Sequence, residues 1–487
     1  MRGYDYDLGV LGGGAAGLTA AAGAARLGAK TLLVEKERVL GGDCLHFGCV
    51  PSKTLIHASR VWRLARQTQR LGLPALELPP VDFRQVADRI AAVIARIQKH
   101  DSYERFCGLG VRVLFGQARF EDERVLRVEH EQGVERVSAR SWLIATGSAA
   151  SIPSLEGLER TTYLTNRELF SLNRLPASLL ILGGGAIAVE MAQAFQRLGS
   201  SVTIVQRSER ILSKEDADLA DLVQDALDAE GVSVRCGMRA VRARDLNGRP
   251  EIDARGPQGE ETLRADALLV ALGRAPNVLG LGLENAGVRF ASSGIPVDAR
   301  MRTNQKHIYA AGDVTGAHQS THAAGYEAGI VLANAVFRLP RSADYSRMPR
   351  CVFSAPELAS LGLNEQESKK RGIDYALWTE SFENNDRALT EDQAQGLIKL
   401  LLDKKGKPLG VHICGPSAGE LLAEWIAVFQ GKVGLSTLAS AVHPYPTLAE
   451  INKRVAGNVL AEKIFSEKVK RTLKLFFNLK GRACRLS

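Results

Sequence analysis

Gly12-Gly13-Gly14-Ala15-Ala16-Gly17 follows directly on an apolar run, Tyr6 to Leu11, and opens a small-residue segment from about Leu18 to Leu27. A second apolar run, Thr31-Leu32-Leu33-Val34, ends in Glu35. Buried strand, glycine loop, helix, strand and terminal acid make a β-α-β unit in which each glycine has its own task. Gly12 makes the tight turn, Gly14 lets the backbone approach a pyrophosphate, and Gly17 permits close helix–strand packing. Glu35 is placed to bind a ribose hydroxyl pair. The stretch predicts a Rossmann-like dinucleotide fold at the start of the chain.

The pattern returns at Leu179-Leu180-Ile181-Leu182-Gly183-Gly184-Gly185, followed by a helix containing Glu190 and the strand Ser201-Val202-Thr203-Ile204-Val205. Two such units imply two dinucleotides. At the acid position the second unit carries Gln206, followed by Arg207 and Arg210. An acid there would accept from the adenosine ribose of NAD and repel the extra phosphate of NADP. Removing it and adding two cations reads as NADPH, with NADH or a merely solvated basic turn as the alternatives. Ala145-Thr146-Gly147, after the strand Ser141-Trp142-Leu143-Ile144, and Ala271-Leu272-Gly273-Arg274-Ala275-Pro276-Asn277 bracket the second unit.

About ten residues after the first unit comes a cysteine pair, in the stretch Gly41-Gly42-Asp43-Cys44-Leu45-His46-Phe47-Gly48-Cys49-Val50-Pro51-Ser52-Lys53. If its second half is helical, Cys44 and Cys49 project from adjacent turns at the helix start, where N–H groups and dipole favour a thiolate. Such a pair closes to a disulfide, opens to a dithiol, or holds a soft metal ion. On spacing alone, two buried structural cysteines or half a zinc site serve equally well. The position after a nucleotide unit, and Lys53 one turn beyond Cys49, set this pair apart.

The stretch Gly-Gly-x-Cys-x4-Cys-Val-Pro-Ser-Lys resembles the active site of the FAD-dependent pyridine nucleotide–disulfide oxidoreductases, which include dihydrolipoyl dehydrogenase, glutathione reductase and mercuric reductase. The resemblance covers nearly the whole chain. It implies FAD in the first dinucleotide fold and the nicotinamide cofactor in the second, an insertion. Ile308-Tyr309-Ala310-Ala311-Gly312-Asp313 would return the chain to the FAD domain, with Asp313 on the flavin ribityl chain. Ala118 matches a position that contacts FAD through its backbone, and Gly42, Asp43, Lys53, Thr146, Gly147, Gly273, Arg274, Gly312 and Thr321 complete the implied cofactor positions.

The expected fold class is α/β: two Rossmann-like dinucleotide domains and a C-terminal α+β dimerisation domain. The FAD domain takes residues 1–150 and 277–345, the NAD(P)H domain 151–276, and the interface domain 346–487. In that last part, Gly396 to Leu402 and Leu409 to Ile413 read as an antiparallel sheet with flanking helices. By resemblance the protein is a homodimer whose active sites are completed by the partner chain. Electrons would run from nicotinamide to flavin to a Cys44–Cys49 disulfide and on to an acceptor. Cys49 would be the sulfur next to the flavin, Cys44 the exchanging one. Lys53 and Glu190 match a Lys–Glu pair near the flavin's reactive nitrogen.

The acceptor side departs from the family pattern at Val442-His443-Pro444-Tyr445-Pro446-Thr447-Leu448-Ala449-Glu450. The family's disulfide reductases carry a His five positions before the Glu, as a proton shuttle for the exchanging thiol. Five positions before Glu450 stands Tyr445, and a phenol titrating near ~10 is a poor shuttle at neutral pH. Mercuric reductases have a Tyr here, and Asp386-Arg387-Ala388 also fits that branch. Hg(II), held transiently by Cys44 and Cys49 as substrate, is therefore the leading acceptor. A dihydrolipoyl-dehydrogenase-type disulfide reductase, with Tyr445 or His443 in place of the usual base, is the first alternative. An electron-transfer subunit that docks on a membrane or protein partner is another.

Other features depart from the mercuric-reductase pattern. The tail Gly481-Arg482-Ala483-Cys484-Arg485-Leu486-Ser487 has one cysteine instead of a vicinal pair, and the separate metal-binding N-terminal domain of many mercuric reductases is not expected here. Cys484 reads as an incidental thiol or a single delivery thiol. His46 stands between the cysteines where Asn is usual, and Asp43 where Thr is common.

Size and composition agree. The 487 residues, 45% hydrophobic and 24% charged, suit two to four soluble domains. Seven irregularly spaced cysteines without a secretory signal suggest a reducing cytoplasm. No apolar run approaches a membrane span. A net charge of +9 suits anionic ligands such as dinucleotides, and no nucleic-acid recognition motif accompanies it. From Lys463 to Arg485, Ile464, Val469, Leu473, Leu475, Phe476 and Phe477 lie among eight Lys/Arg residues. This tail reads as a helix packed on the dimer domain with a solvated basic face, or as a membrane-surface helix.

Overall fold

A computed structural model describes residues 3–431, 433–481, 483 and 484. Arg482 and residues 485–487 of the tail lie outside the described residues. The chain divides into two compact units, one comprising residues up to Ile211 with Glu230–Tyr345, the other Leu212–Ala229 with the residues from Ser346 onward.

The first unit opens with β1 (Tyr6–Leu11), α1 (Ala15–Arg26) and β2 (Thr31–Glu35). α1 starts about three residues earlier than the small-residue run suggests, because the Leu18 N–H already bonds the Gly14 carbonyl at 2.9 Å. The short α2 (Gly42–His46) and long α3 (Cys49–Arg66) follow, then α4 (Phe83–Gln98) and α5 (Tyr103–Gly108). Next come β3 (Val111–Phe115), β4 (Gln117–Phe120), β5 (Val125–His130) and β6 (Gly133–Ile144).

These strands form a sheet in the order β3-β2-β1-β6-β5-β4. The 12-residue β6 serves two partnerships: its first half runs antiparallel to β5, its second half parallel to β1 (Leu8 opposite Ser141). Alternation divides the side chains between two cores. Leu33 and Leu143 face one, with α1, and Leu32, Val34, Trp142 and Ile144 face the other.

β7 (Ser148–Ala150) leads to the second β-α-β unit, made of β8 (Ser178–Leu182), α6 (Ala186–Leu198) and β9 (Ser201–Val205). With β10 (Ser233–Arg235) and β14 (Ala267–Val270) it builds a parallel sheet, β10-β9-β8-β14. Between these last two, β11 (Arg239–Leu246), β12 (Arg249–Gly256) and β13 (Gly259–Arg264) form an antiparallel sheet. β15 (Arg274–Pro276) pairs with β7, so the chain leaves and re-enters the second fold through one two-stranded ribbon. β16 (Ile308–Ala310) then adds to β6 in parallel, and α8 (Thr321–Ala335) packs on α1.

The second unit is built on α7 (Ala217–Ala229) and an antiparallel sheet, β17-β18-β21-β20-β19, spanning Arg350–Val352, Glu357–Gly362, Pro408–Gly415, Leu397–Leu402 and Ala376–Ser381 in that order. Trp425 of α11 (Ala418–Phe429) and Ile451, Val455 and Val459 of α13 (Glu450–Ile464) fill its core. Lys399 on β20 is buried, and its ammonium lies 3.1 Å from Asp216, 2.9 Å from Asp218 and against Glu365. One buried cation thus answers a triad of carboxylates that would otherwise suit a metal. Helices of 365–370, 386–390 and 435–440, here α9, α10 and α12, complete the unit.

The last helix, α14 (Glu467–Phe477), has no buried residue. The packed helix expected of the tail is therefore not found within this chain: burial along α13 ends at Val459, and the apolar residues beyond it have no core to enter. No helix among the described residues is long and apolar enough to cross a membrane.

Candidate active site

The two glycine loops share one construction. Gly12 has φ +110°, and a Cβ there would stand 2.3 Å from the Ala145 carbonyl oxygen; Gly183 has φ +116°, and its Cβ would stand 2.4 Å from that of Ala271. Each loop passes too close to a neighbouring strand end for a side chain, in a backbone region that favours glycine. A Cβ on Gly17 would overlap the Gly12 carbonyl, so helix and strand meet as closely as the spacing implied. Gly14 and Gly185 stand at the N-caps of α1 and α6 with no side chain capping either helix. Unused N–H groups and the positive dipole end face outward in both, an anion cradle.

Beside the first cradle, Glu35 is buried and accepts from Gly13 N–H at 2.6 Å and Glu37 N–H at 2.9 Å. The corresponding Gln206 is half-buried, donates weakly to the Arg210 carbonyl at 3.4 Å, and leaves Arg207 and Arg210 exposed. One fold ends in a fixed negative charge; the other ends in an amide among cations.

The cysteines sit where the first cradle meets α2. Gly41 and Gly42 both have positive φ, which lets α2 begin with Gly42 packed on Gly14; a Cβ on Gly42 would stand 2.7 Å from the Gly14 Cα. Cys44 lies on α2, whereas Cys49 is the first residue of α3, with Phe47 and Gly48 breaking the helix between them. The two sulfurs therefore leave two different helices, not adjacent turns of one. Neither cysteine is in a disulfide. Cys49 gains the N-terminal position of an 18-residue helix, and no side chain caps it.

The hydrogen bond between the two sulfurs, and then burial, push Cys44 far above an ordinary thiol. The same bond lowers Cys49 to about 6 against its own burial, helped by Thr321 and Lys53 and opposed by Glu190. Cys44 is the thiol and donor, Cys49 the thiolate and acceptor. The Thr321 hydroxyl lies 3.3 Å from Cys49 Sγ, brought there as the first residue of α8. Lys53, one turn along α3, bonds Glu190 of α6 at 2.8 Å, and Glu190 is buried. The structure thus brings Cys44, Cys49, Lys53, Glu190 and Thr321 together. Thr321 is found against the redox sulfur, a contact between residues 272 positions apart.

A second cluster surrounds Asp43. Its carboxylate accepts from Arg274 at 2.7 Å and from Asn166 at 3.1 Å. Arg274 also donates to the Ser148 hydroxyl at 2.7 Å, and Ser148 donates to Asp313 at 2.5 Å. Thr146 and Asn277 exchange side-chain bonds with each other's carbonyls at 2.8 and 2.9 Å, stitching the two crossing segments together. Gly147 and Gly273 lie in these segments with φ +69° and +110°. Gly312 donates its N–H to Glu327 at 2.6 Å, and Glu327, fully buried, also accepts from Tyr345 at 2.7 Å. Asn166, Ser148 and Glu327 were not indicated by any sequence motif; all act across long stretches of chain. Ala118 lies on β4, paired with Val128. His46 bonds the Leu40 carbonyl at 3.0 Å through Nε2, a structural tie.

The remaining acceptor-side residues belong to the second unit. Tyr445 is exposed and donates to Asp386 at 2.7 Å, a bond that raises its pKa above the ordinary phenol value. His443 bonds Glu424 at 2.9 Å, and Glu424 also accepts from Asn452 at 2.8 Å. Glu450 begins α13 and its carboxylate lies 3.5 Å from the Thr447 N–H. His443 and Glu450 are thus not paired with each other. Cys484 is exposed.

A dithiol set against a dinucleotide cradle, in a unit holding a second such cradle, is the equipment of a two-electron oxidoreductase. Models of the pyridine nucleotide-disulphide oxidoreductases and of their dimerisation domain match residues 6–328 and 348–456, and the chain belongs to that family. It is 36% identical to a dihydrolipoyl dehydrogenase of Bacillus subtilis over 448 residues, 91% of this chain and 96% of that one. It is also 36% identical to a mercuric reductase of Streptomyces lividans over 457 residues, 93% and 95% of the two chains. The Cu(II) complex of the HOCl-induced flavoprotein disulfide reductase RclA from Escherichia coli has a similar fold. Its TM-score is 0.84 at 28% identity, and the match covers 94% of this chain and all of that one.

The protein is therefore a FAD-containing, NAD(P)H-dependent oxidoreductase with two Rossmann-like folds and a C-terminal dimerisation domain. The residues present fit FAD: an uncapped helix start at Gly14, a carboxylate at Glu35 and a close approach of Gly42 to Gly14 that leaves no room for a side chain.

Proposed function

We propose that this enzyme oxidises NADPH and delivers the electrons to a soft metal ion held by thiolates, Hg(II) foremost, through the Cys44/Cys49 pair. Bound FAD supplies the two-electron relay between the nicotinamide and the sulfurs. We assign FAD to residues 1–150 with 277–345, NADPH to 151–276, and dimer formation to 346–487, with each site completed by the second unit of a partner copy. Gly12, Gly14, Gly17, Glu35, Asp43, Arg274 and Asp313 hold FAD; Gly183, Gly185, Gln206, Arg207 and Arg210 hold NADPH. Lys53, fixed by Glu190, places a positive charge beside the reducing centre.

The observation that carries the acceptor is the state of the acceptor-side groups. Reducing a disulfide requires a proton for the thiolate that leaves, normally from an imidazole. Here the phenol of Tyr445 is tied to Asp386 and made less acidic, and His443 is tied to Glu424. Binding a metal ion makes the opposite demand. Cys44 gives up its proton as it takes the ion from small-thiol ligands, and solvent can accept that proton. Cys49, already a thiolate, is the first ligand, and two soft sulfurs suit Hg(II). In balance, NADPH and Hg(II) give NADP+, a proton and Hg(0). The similarity to the Streptomyces lividans mercuric reductase and to a disulfide reductase described as a Cu(II) complex supports this reading.

The test is steady-state NADPH oxidation by the purified flavoprotein with Hg(II) in excess small thiol, beside lipoamide and glutathione disulfide. Turnover with Hg(II) that disappears in Cys44→Ser is expected. Brisk lipoamide turnover with little response to metal would overturn the reading and return proton transfer to Tyr445 or His443.

A further inference from the structure

α14 is a feature that the proposed chemistry does not use. Along it Val469, Leu473, Phe476 and Phe477 fall at i, i+4, i+7 and i+8, one stripe of a helix. Arg471 lies on the opposite side, Lys470 and Lys474 run along the flank beyond Phe477, and Leu475 falls among the cations. The stripe is bulky and open to solvent: Phe476 and Phe477 are 74% and 70% exposed. Ile464 and Phe465, just before the helix, and Leu479, just after it, extend the exposed apolar surface.

Three observations say what covers this surface. The dimerisation model of the family ends at residue 456, before the helix, so α14 is an addition to the shared interface domain. Burial along α13 stops at Val459, so the chain's own core does not claim it. From residue 463 to 480 the charged residues are Lys463, Lys468, Lys470, Arg471, Lys474 and Lys480 against the single acid Glu467, which Lys470 pairs at 2.8 Å. Aromatic and aliphatic side chains on one face, with an excess of cations along its flank and opposite side, complement an anionic lipid surface: rings enter the acyl boundary and ammonium groups remain among the headgroups.

We propose that α14, with its flanking Ile464, Phe465 and Lys480, is a docking face for an anionic lipid bilayer, holding the enzyme at a membrane surface without spanning it. The proposal is independent of the identity of the electron acceptor.

The experiment is co-sedimentation of the holoenzyme with phosphatidylcholine vesicles, with and without phosphatidylserine. At least about tenfold more protein should bind when phosphatidylserine is present, and high salt should release it. Phe476→Ser with Phe477→Ser should lower binding to the level of neutral vesicles while NADPH turnover with a soluble acceptor stays unchanged. Lys470→Gln with Lys474→Gln should lower it severalfold. Equal partition onto both kinds of vesicle, or binding that survives the Phe476/Phe477 substitutions, would overturn the proposal. So would loss of the dimer in those substitutions, read by light scattering without lipid, because the apolar face would then belong to a second copy of the chain.

Discussion

The two dinucleotide folds of this chain share a backbone and differ in charge. Gly12 and Gly183 turn the loop at nearly the same positive φ and press on a carbonyl at nearly the same distance, and Gly14 and Gly185 leave both helices uncapped. Then Glu35 closes one fold and Gln206, followed by the exposed Arg207 and Arg210, the other. Loop geometry of this kind suits a pyrophosphate in either case, and the residue at the end of the second strand is the one placed to select an adenosine ribose. Architecture and selectivity are thus carried by different residues, and substitutions can separate them.

The largest effects should come from the shared geometry. Gly12→Ala forces a methyl onto the Ala145 carbonyl and an alanine into positive φ, a combined cost of order 3 kcal/mol or more at the cradle. This variant should purify with little flavin, read as loss of the yellow absorbance, and with turnover reduced at least about a hundredfold. Gly183→Ala suffers the same collision with Ala271 but should keep its flavin and lose only reaction with NADPH. Both variants losing flavin equally would break the assignment of one cofactor to each fold.

A smaller effect should follow at the residue that differs. Gln206→Glu restores an acid at the strand end and sets it against the 2′-phosphate. The expected outcome is a rise of about tenfold or more in KM for NADPH with little change for NADH, measured with one acceptor. Unchanged selectivity would show that Arg207 and Arg210 are only a solvated turn.

These folds were legible in the sequence because their determinants are local: a glycine loop between two strands, and the residue that ends the second strand, within about thirty residues. The cysteine pair was legible as chemistry but not as geometry, since the break at Phe47 and Gly48 that puts the sulfurs on separate helices is a matter of backbone angles. The long-range contacts of the candidate residues were not legible at all. Asn166 reaches Asp43 across 123 positions, Ser148 reaches Asp313 across 165, and Tyr445 finds Asp386 across 59. Such contacts depend on how strands and helices stack, and no spacing rule in one sequence announces them. The tail shows the converse: its amphipathic pattern was plain, but a pattern does not say whether a core is available to receive it.

The two folds differ again in the segment that each second strand leads into. After Glu35 the chain runs to α2 and α3 and the two sulfurs; after Gln206 it runs to a basic turn. The paired sulfurs therefore follow the first fold. Because Cys49 is lowered to about 6 and Cys44 is raised, the reduced enzyme should hold one thiolate through neutral pH. Below pH about 6 Cys49 is protonated and unreactive; above it the thiolate persists, while Cys44 stays a thiol. Alkylation of Cys49 by iodoacetamide, followed by peptide mass spectrometry, should accordingly rise through pH about 6 and level off before an ordinary thiol would titrate. Lys53→Met removes a charge that lowers the Cys49 pKa and leaves Glu190, which raises it, so the midpoint should move upward. A midpoint that stays in place would assign the low pKa to the Cys44 hydrogen bond, Thr321 and the start of α3 alone, leaving Lys53 to act on the flavin and not on the sulfur.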